Sequence, residues 1–98
     1  MKYIIIDNVE VYFQEIHNWV DPRNEFSLVK TTNSGNKIYV HKTKVFITID
    51  SILSWGEDRI VARDLGEPCV FIETTSGRYT MVGAPEIVVE MIKESQEI

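Results

Sequence analysis

The chain has 98 residues, 44% of them hydrophobic and 26% charged, and a formal net charge of −5. That size and balance predict one globular domain over residues 1–98 with a modest core. They exclude a membrane span, which needs about 18 consecutive apolar residues, and a general binder of duplex nucleic acid, which needs a positive surface. The first apolar run, Tyr3-Ile4-Ile5-Ile6, stops at Asp7 and is too short for a signal-peptide core. Cys69 is the single cysteine, so no internal disulfide is expected. This suits a reducing cytoplasm.

Residues 2–6 read as a short buried strand. Residues 8–20 carry two patterns. Val9, Tyr12, Phe13, Ile16, Trp19 and Val20 recur at helical spacing, with Glu10, Gln14 and Asn18 opposite and Asp21-Pro22 as a stop, which favours a helix. Residues 9–13 are also rich in strand formers, so a strand is the alternative. Asp21-Pro22-Arg23-Asn24 is a turn.

Residues 26–31 and 37–41 then read as strands joined at Ser34-Gly35. Residues 45–49 form a further strand with Val45, Ile47 and Ile49 on one face. Residues 50–55 read as a bend or short helical turn ended by Gly56, with Asp50-Ser51 supplying local capping. Residues 59–63 read as a weaker strand and residues 65–68 as a loop. Residues 69–74 and 79–82 make a second strand pair with a tip at Ser76-Gly77. Pro85 suits the first turn of a closing helix, whose Ile87, Val88, Met91 and Ile92 form one side and Glu86, Glu90, Lys93 and Glu94 the other.

The two strand pairs repeat one pattern. An apolar pair, a charged residue, Thr-Thr, a Ser-Gly tip and a cation occur at Leu28-Val29-Lys30-Thr31-Thr32 to Lys37 and at Phe71-Ile72-Glu73-Thr74-Thr75 to Arg78. The fold expected is therefore α+β: a small curved antiparallel sheet or partial barrel built on two similar hairpins, with a C-terminal amphipathic helix and an N-terminal helix. Edge strands and unequal charge halves suggest a homo-oligomer.

Lys44 to Ser95 resembles small bacterial proteins of the FlbD flagellar type and similar phage proteins. The resemblance rests on Val45-Phe46-Ile47-Thr48-Ile49-Asp50-Ser51-Ile52, which runs a strand into an Asp-x-Ile bend. It continues through Val70-Phe71-Ile72-Glu73-Thr74-Thr75-Ser76-Gly77 and Pro85-Glu86-Ile87-Val88-Val89-Glu90-Met91-Ile92. Ser-Gly stands here where that pattern has Asn-Gly, and the first forty residues have no counterpart in it. The resemblance implies a non-enzymatic regulatory or partner-binding role and supplies no ligand or cofactor.

Catalytic constellations do not emerge. His17 and His41 are far apart and lack metal-ligand spacing. Cys69 precedes Val70-Phe71-Ile72, the setting of a buried, inert thiol. No Ser occupies a nucleophile elbow, so the nucleophile and base that a small hydrolase needs are missing.

Binding chemistry offers more. Thr31, Thr32, Ser34 and Lys37 form one polar cluster, with Tyr39 and His41 on the return strand and Lys30, Lys42 and Lys44 in the same acid-free run. Such a tip can hold an anion on its backbone N–H groups, although Thr, Ser and Gly are also what tight turns require. Thr74, Thr75, Ser76 and Arg78 form the other tip cluster, and Trp19, Trp55, Tyr39 and Tyr79 could stack a flat base, with Arg59 and Arg63 as a phosphate clamp. Against that stands the ordinary role of such rings at the margin of a small core. Trp19 and the acids Glu86, Glu90 and Glu94 are candidates for contact with a partner protein. Two functions follow. The first is a regulatory protein, of phage type, that binds a host or cellular macromolecule. The alternative is an oligomeric protein that sequesters a small anionic ligand, such as a signalling nucleotide, against a host defence.

Overall fold

A computed structural model describes residues 1–14, 27–33 and 35–97 of the chain. Its first sheet contains β1 (Lys2–Gln14), β2 (Ser27–Thr31), β3 (Lys37–Thr48) and β7 (Gln96–Glu97), in the order β2-β3-β1-β7. Its second contains β4 (Ile52–Glu57), β5 (Cys69–Thr74) and β6 (Gly77–Val82), in that order. Neighbouring strands run antiparallel, and both sheets are open. Among the described residues two α-helices complete the α+β fold: α1 (Arg59–Leu65), between β4 and β5, and α2 (Glu86–Lys93), after β6.

β1 and β3 dominate the shape. They pair without interruption from Tyr3↔Thr48 to Gln14↔Lys37. Strands rise roughly 3.4 Å per residue, so this ladder accounts for the longest dimension of the molecule, 47 Å against 26 and 20 Å. The first half of β1 packs inward through Ile4 and Ile6, as alternation requires. The next buried residue is Val9, an odd interval away, so the buried side of the strand switches beyond Asn8.

The core lies where the first half of this ladder meets the second sheet and α2. Ile4, Ile6, Ile47, Val70, Ile72, Met81 and Val88 are buried together, with Val45, Ile49, Ile52, Tyr79, Met91 and Ile92 packed around them. Each such aliphatic side chain contributes roughly 1.5–3 kcal/mol by leaving water. Asn8 adds a polar link between the sheets, its Oδ1 accepting the Thr80 N–H at 3.0 Å. That bond satisfies a donor on β6, the edge strand of the second sheet.

Four expectations are corrected. The described part of residues 8–20 is strand, not the N-terminal helix. The β-branched and aromatic residues of that segment find a full-length partner in β3, and this outweighs their helical spacing. Residues 37–41 and 45–49 are one strand, β3, because its partner continues opposite Lys42, Thr43 and Lys44. Residues 52–57 form a strand rather than a turn. Only Ile49–Ser51 is helical, a single 3-10 turn in which the Ser51 hydroxyl donates to the Thr48 carbonyl at 2.7 Å.

Finally, residues 59–63 are helix. Asp58 caps α1 by accepting the Val61 N–H on Oδ1, and Gly66 ends it in the left-handed conformation at φ 73°. Glycine suits that position because it lacks the Cβ that opposes a left-handed backbone. The expected C-terminal helix is present as α2, with Pro85 immediately before it and Glu86 in its first turn.

Candidate functional site

α2 presents a mixed acidic and aliphatic surface. Val88 faces inward and is fully buried, and Met91 and Ile92 pack beside it. Glu86, Glu90 and Glu94 recur every four residues and are all exposed, so they form one stripe along the opposite side. Ile87 and Val89 flank that stripe at 39% and 40% exposure.

Beside α2 runs a groove of about 310 Å³ whose floor includes Ile5, Val9, Met81 and Ile87. Lys42 stands on its β3 side. Alternation places Lys44 and Phe46 on the same side of β3 as Lys42, opposite Asp7 and Ile5 of β1. Phe46 is 67% exposed and touches the Tyr3 ring, centroids 5.7 Å apart. Lys44 pairs with Asp7 at 3.4 Å, both in solvent, where such a pair is worth about 0–1 kcal/mol.

At both tips several backbone N–H groups bond to other groups of the chain. At the first, the Thr32 N–H donates to the Asn36 carbonyl, Gly35 N–H to the Thr32 carbonyl, and Asn36 N–H to the Thr32 hydroxyl. At the second, the Thr75 N–H donates to the Ser51 carbonyl and the Ser76 N–H to the Thr74 hydroxyl. These N–H groups are the ones an anion would use. Thr31, Thr32 and Lys37 do gather at the first tip, while Tyr39 and His41 continue along the same face of β3 toward Tyr12 and Glu10. The Tyr12 hydroxyl donates to the Glu10 carboxylate, and this bond, with burial and then the Glu10 charge, raises the phenol above its usual pKa. Ser34 and Trp19 lie outside the described residues.

The remaining candidates separate. Trp55 and Tyr79 occupy one row across the second sheet, on either side of buried Ile72. Arg78 lies on the other face. Its guanidinium sits 4.2 Å from the centre of the Phe71 ring and 3.8 Å from Asp58 Oδ2. The same Asp58 oxygen accepts the Thr80 hydroxyl at 3.0 Å, so one buried carboxylate ties α1 to β6. Arg59 pairs with Glu57 and Arg63 with Asp64, all near α1. A second groove, about 410 Å³, opens between α1 and Pro85, and its charged residues are Glu57, Asp58, Glu86 and Arg59. Three carboxylates against one guanidinium disfavour an anion there.

Cys69 lies at the base of this groove, 2% exposed. Burial, then the charges of Asp58 and Glu67, push its thiol pKa up, so it is held as the neutral thiol. Among the described residues, no three His, Cys, Asp or Glu side chains group to hold a metal ion, and no helix is long and apolar enough to cross a membrane.

Sequence reasoning found the α2 acids and the basic run that includes Lys42 and Lys44, but missed Asp58 and the exposure of Phe46 beside them. An Asp three residues before Val61 and a Gly just past Leu65 were legible helix caps. The exposure of Phe46 had no such signal, since alternation in β3 does not say which face is covered. Compared with family models, curated proteins and solved structures, the chain has no significant match.

Proposed function

We propose that this protein is a non-enzymatic binding or regulatory protein that engages a macromolecular partner through the exposed face of α2. The observation that carries this reading is the stripe of Glu86, Glu90 and Glu94 bordered by exposed Ile87 and Val89. A partner that matches it carries basic groups around an apolar patch, so that charge sets approach and orientation while apolar burial supplies affinity. The resemblance of residues 44–95 to FlbD-type flagellar regulators and similar phage proteins agrees with a regulatory role. A sequestering role toward a small anionic ligand is the weaker reading. The N–H groups of Thr32, Gly35, Asn36, Thr75 and Ser76 are committed within the chain, Arg78 is held between Phe71 and Asp58, and the groove beside Arg59 is acidic.

The test is affinity capture from cells of the natural setting, comparing the unaltered chain with Glu86→Lys/Glu90→Lys/Glu94→Lys. A partner retained by the first and lost by the second, with retention falling as salt rises, supports the reading. Equal capture by both, with circular dichroism showing both folded, overturns the assignment to this face.

A further inference from the structure

The groove beside α2 is lined on its sheet side by Lys42 and Asp7, and the acids of α2 adjoin it on the helix side without lining it. Ile87 and Met91, one helical turn apart, line it from the helix side. Glu90 and Glu94 each follow three residues later, which places them on the adjoining rim. On the other wall stand Lys42, which lines the groove, and Lys44, next on the same side of β3. The floor between is apolar, with Ile5 and Ile87 exposed by 37% and 39%, and Phe46 beyond Lys44 by 67%.

We propose that a second copy of this chain seats on this groove about a two-fold axis, each α2 rim lying against the other copy's Lys42 and Lys44. A two-fold contact brings residue i against j and j against i, so the surface must be complementary to itself. A wall of one sign alone fails that condition by repulsion. Acidic and basic walls flanking an apolar floor meet it, because the rotation sets each wall on its opposite and the two floors on one another. The contact also closes on itself, which gives a dimer rather than a filament. Asp7 is the acid on the basic wall, and its pair with Lys44 has side chains 75% and 61% exposed, so it exchanges readily for Glu90 or Glu94. This inference shares α2 with the partner reading, and a dimer would cover the face that the partner uses.

The test is sedimentation equilibrium on the unaltered chain, Lys42→Glu/Lys44→Glu, Glu90→Lys/Glu94→Lys, and an equimolar mixture of the two variants. The unaltered chain is expected to be a dimer that weakens as salt rises. Each variant alone sets like charges along both seams, and its dissociation constant should rise at least about tenfold. The mixture sets opposite charges along both seams and should restore a dimer of one copy of each. That restoration also shows that both variants are folded.

A monomeric unaltered chain, a variant that still dimerises, or a mixture that stays monomeric while both variants keep native circular dichroism overturns the proposal. The same variants separate it from the partner reading. Lys42→Glu/Lys44→Glu should lose the dimer and keep partner capture. If Glu90→Lys/Glu94→Lys loses the dimer but keeps capture, the partner reading fails and this one stands.

Discussion

The turn between β2 and β3 and the turn between β5 and β6 are spelled with nearly the same letters and built differently. In the first, Thr31 pairs with Lys37 and five residues cross between them; in the second, Thr74 pairs with Gly77 and two residues cross. The first closes on itself, Thr32 and Asn36 bonding in both directions. The second is anchored outside itself, since Thr75 donates its N–H to Ser51. Thr74 is buried, and its hydroxyl accepts from the Ser76 N–H and donates to the Gly77 carbonyl at 2.8 Å. The extra Asn33 and Asn36 of the first copy lengthen the loop. Turn letters therefore specified that the chain reverses, while the supporting contacts decided how firmly. The copies also lie in different sheets, so the repeat builds two unlike corners.

That contrast is open to measurement. The largest effect is expected from the strand beneath the second turn. Ile72 is 0% exposed, so Ile72→Ala should lower the unfolding free energy by about 2–5 kcal/mol in a denaturant titration. Phe13, near the far end of the first sheet and 62% exposed, should change it by under about 1 kcal/mol on truncation to Ala. Comparable losses would show that the far end of the long ladder is as much a part of the core as β5 is.

The turns themselves come next. Thr74→Val removes the two part-buried bonds that the Thr74 hydroxyl makes to the Ser76 N–H and the Gly77 carbonyl and should cost about 1–3 kcal/mol. Thr32→Val removes one bond to the half-buried Asn36 N–H, and about 0.5–1 kcal/mol is expected. Thermal unfolding of the two variants side by side ranks them, and a reversed order would remove the distinction drawn between the corners.

The smallest effects are in titration. Tyr12 and Cys69 both have raised pKa values, for different reasons: a hydrogen bond to Glu10 at an exposed site, and burial within the second sheet. In each the folded protein favours the protonated form. The stabilisation is therefore present below the unfolded group's pKa and is lost as pH rises through the folded one. Glu10→Gln should bring the phenol absorbance titration of Tyr12 back toward the ordinary tyrosine value; an unmoved titration would mean that Glu10 is not the cause. Cys69 should react with a thiol reagent at neutral pH only as fast as the protein opens, and faster in Ile72→Ala. Immediate labelling of the folded protein would mean that the groove floor is open.

Much of the second sheet was legible because its signals are local. Val70-Phe71-Ile72 are strand formers followed by a turn signal, and β5 spans Cys69–Thr74 as expected. Pro85, Glu86 and the 87, 88, 91, 92 apolar spacing marked α2. Alternation, turn residues and caps act within a few residues, so the order of letters suffices to read them. Among candidate site residues, the acidic stripe of α2 was readable on the same ground, since helical spacing alone places Glu86, Glu90 and Glu94 on one side.

Longer-range matters were settled only by tertiary contact. Whether Val9 to Phe13 became helix or strand depended on the complete partner that β3 offers thirty residues away. The caps of Arg59–Leu65 are local, but the anchoring of Asp58 by the Thr80 hydroxyl and the Arg78 guanidinium is tertiary. The division into two open sheets, and the groove that sets Lys42 across from α2, likewise arise from packing. Hydrogen-bonded turns and side-chain periodicity are local, and they suffice for an antiparallel β-rich chain with a closing amphipathic helix. Which strands share a sheet, and which charged faces meet across a groove, was decided by the burial of Ile4, Ile6, Ile47, Val70, Ile72, Met81 and Val88 in one core. Hydrophobic burial rewards whatever arrangement removes the most apolar surface from water, and it does so regardless of distance along the chain.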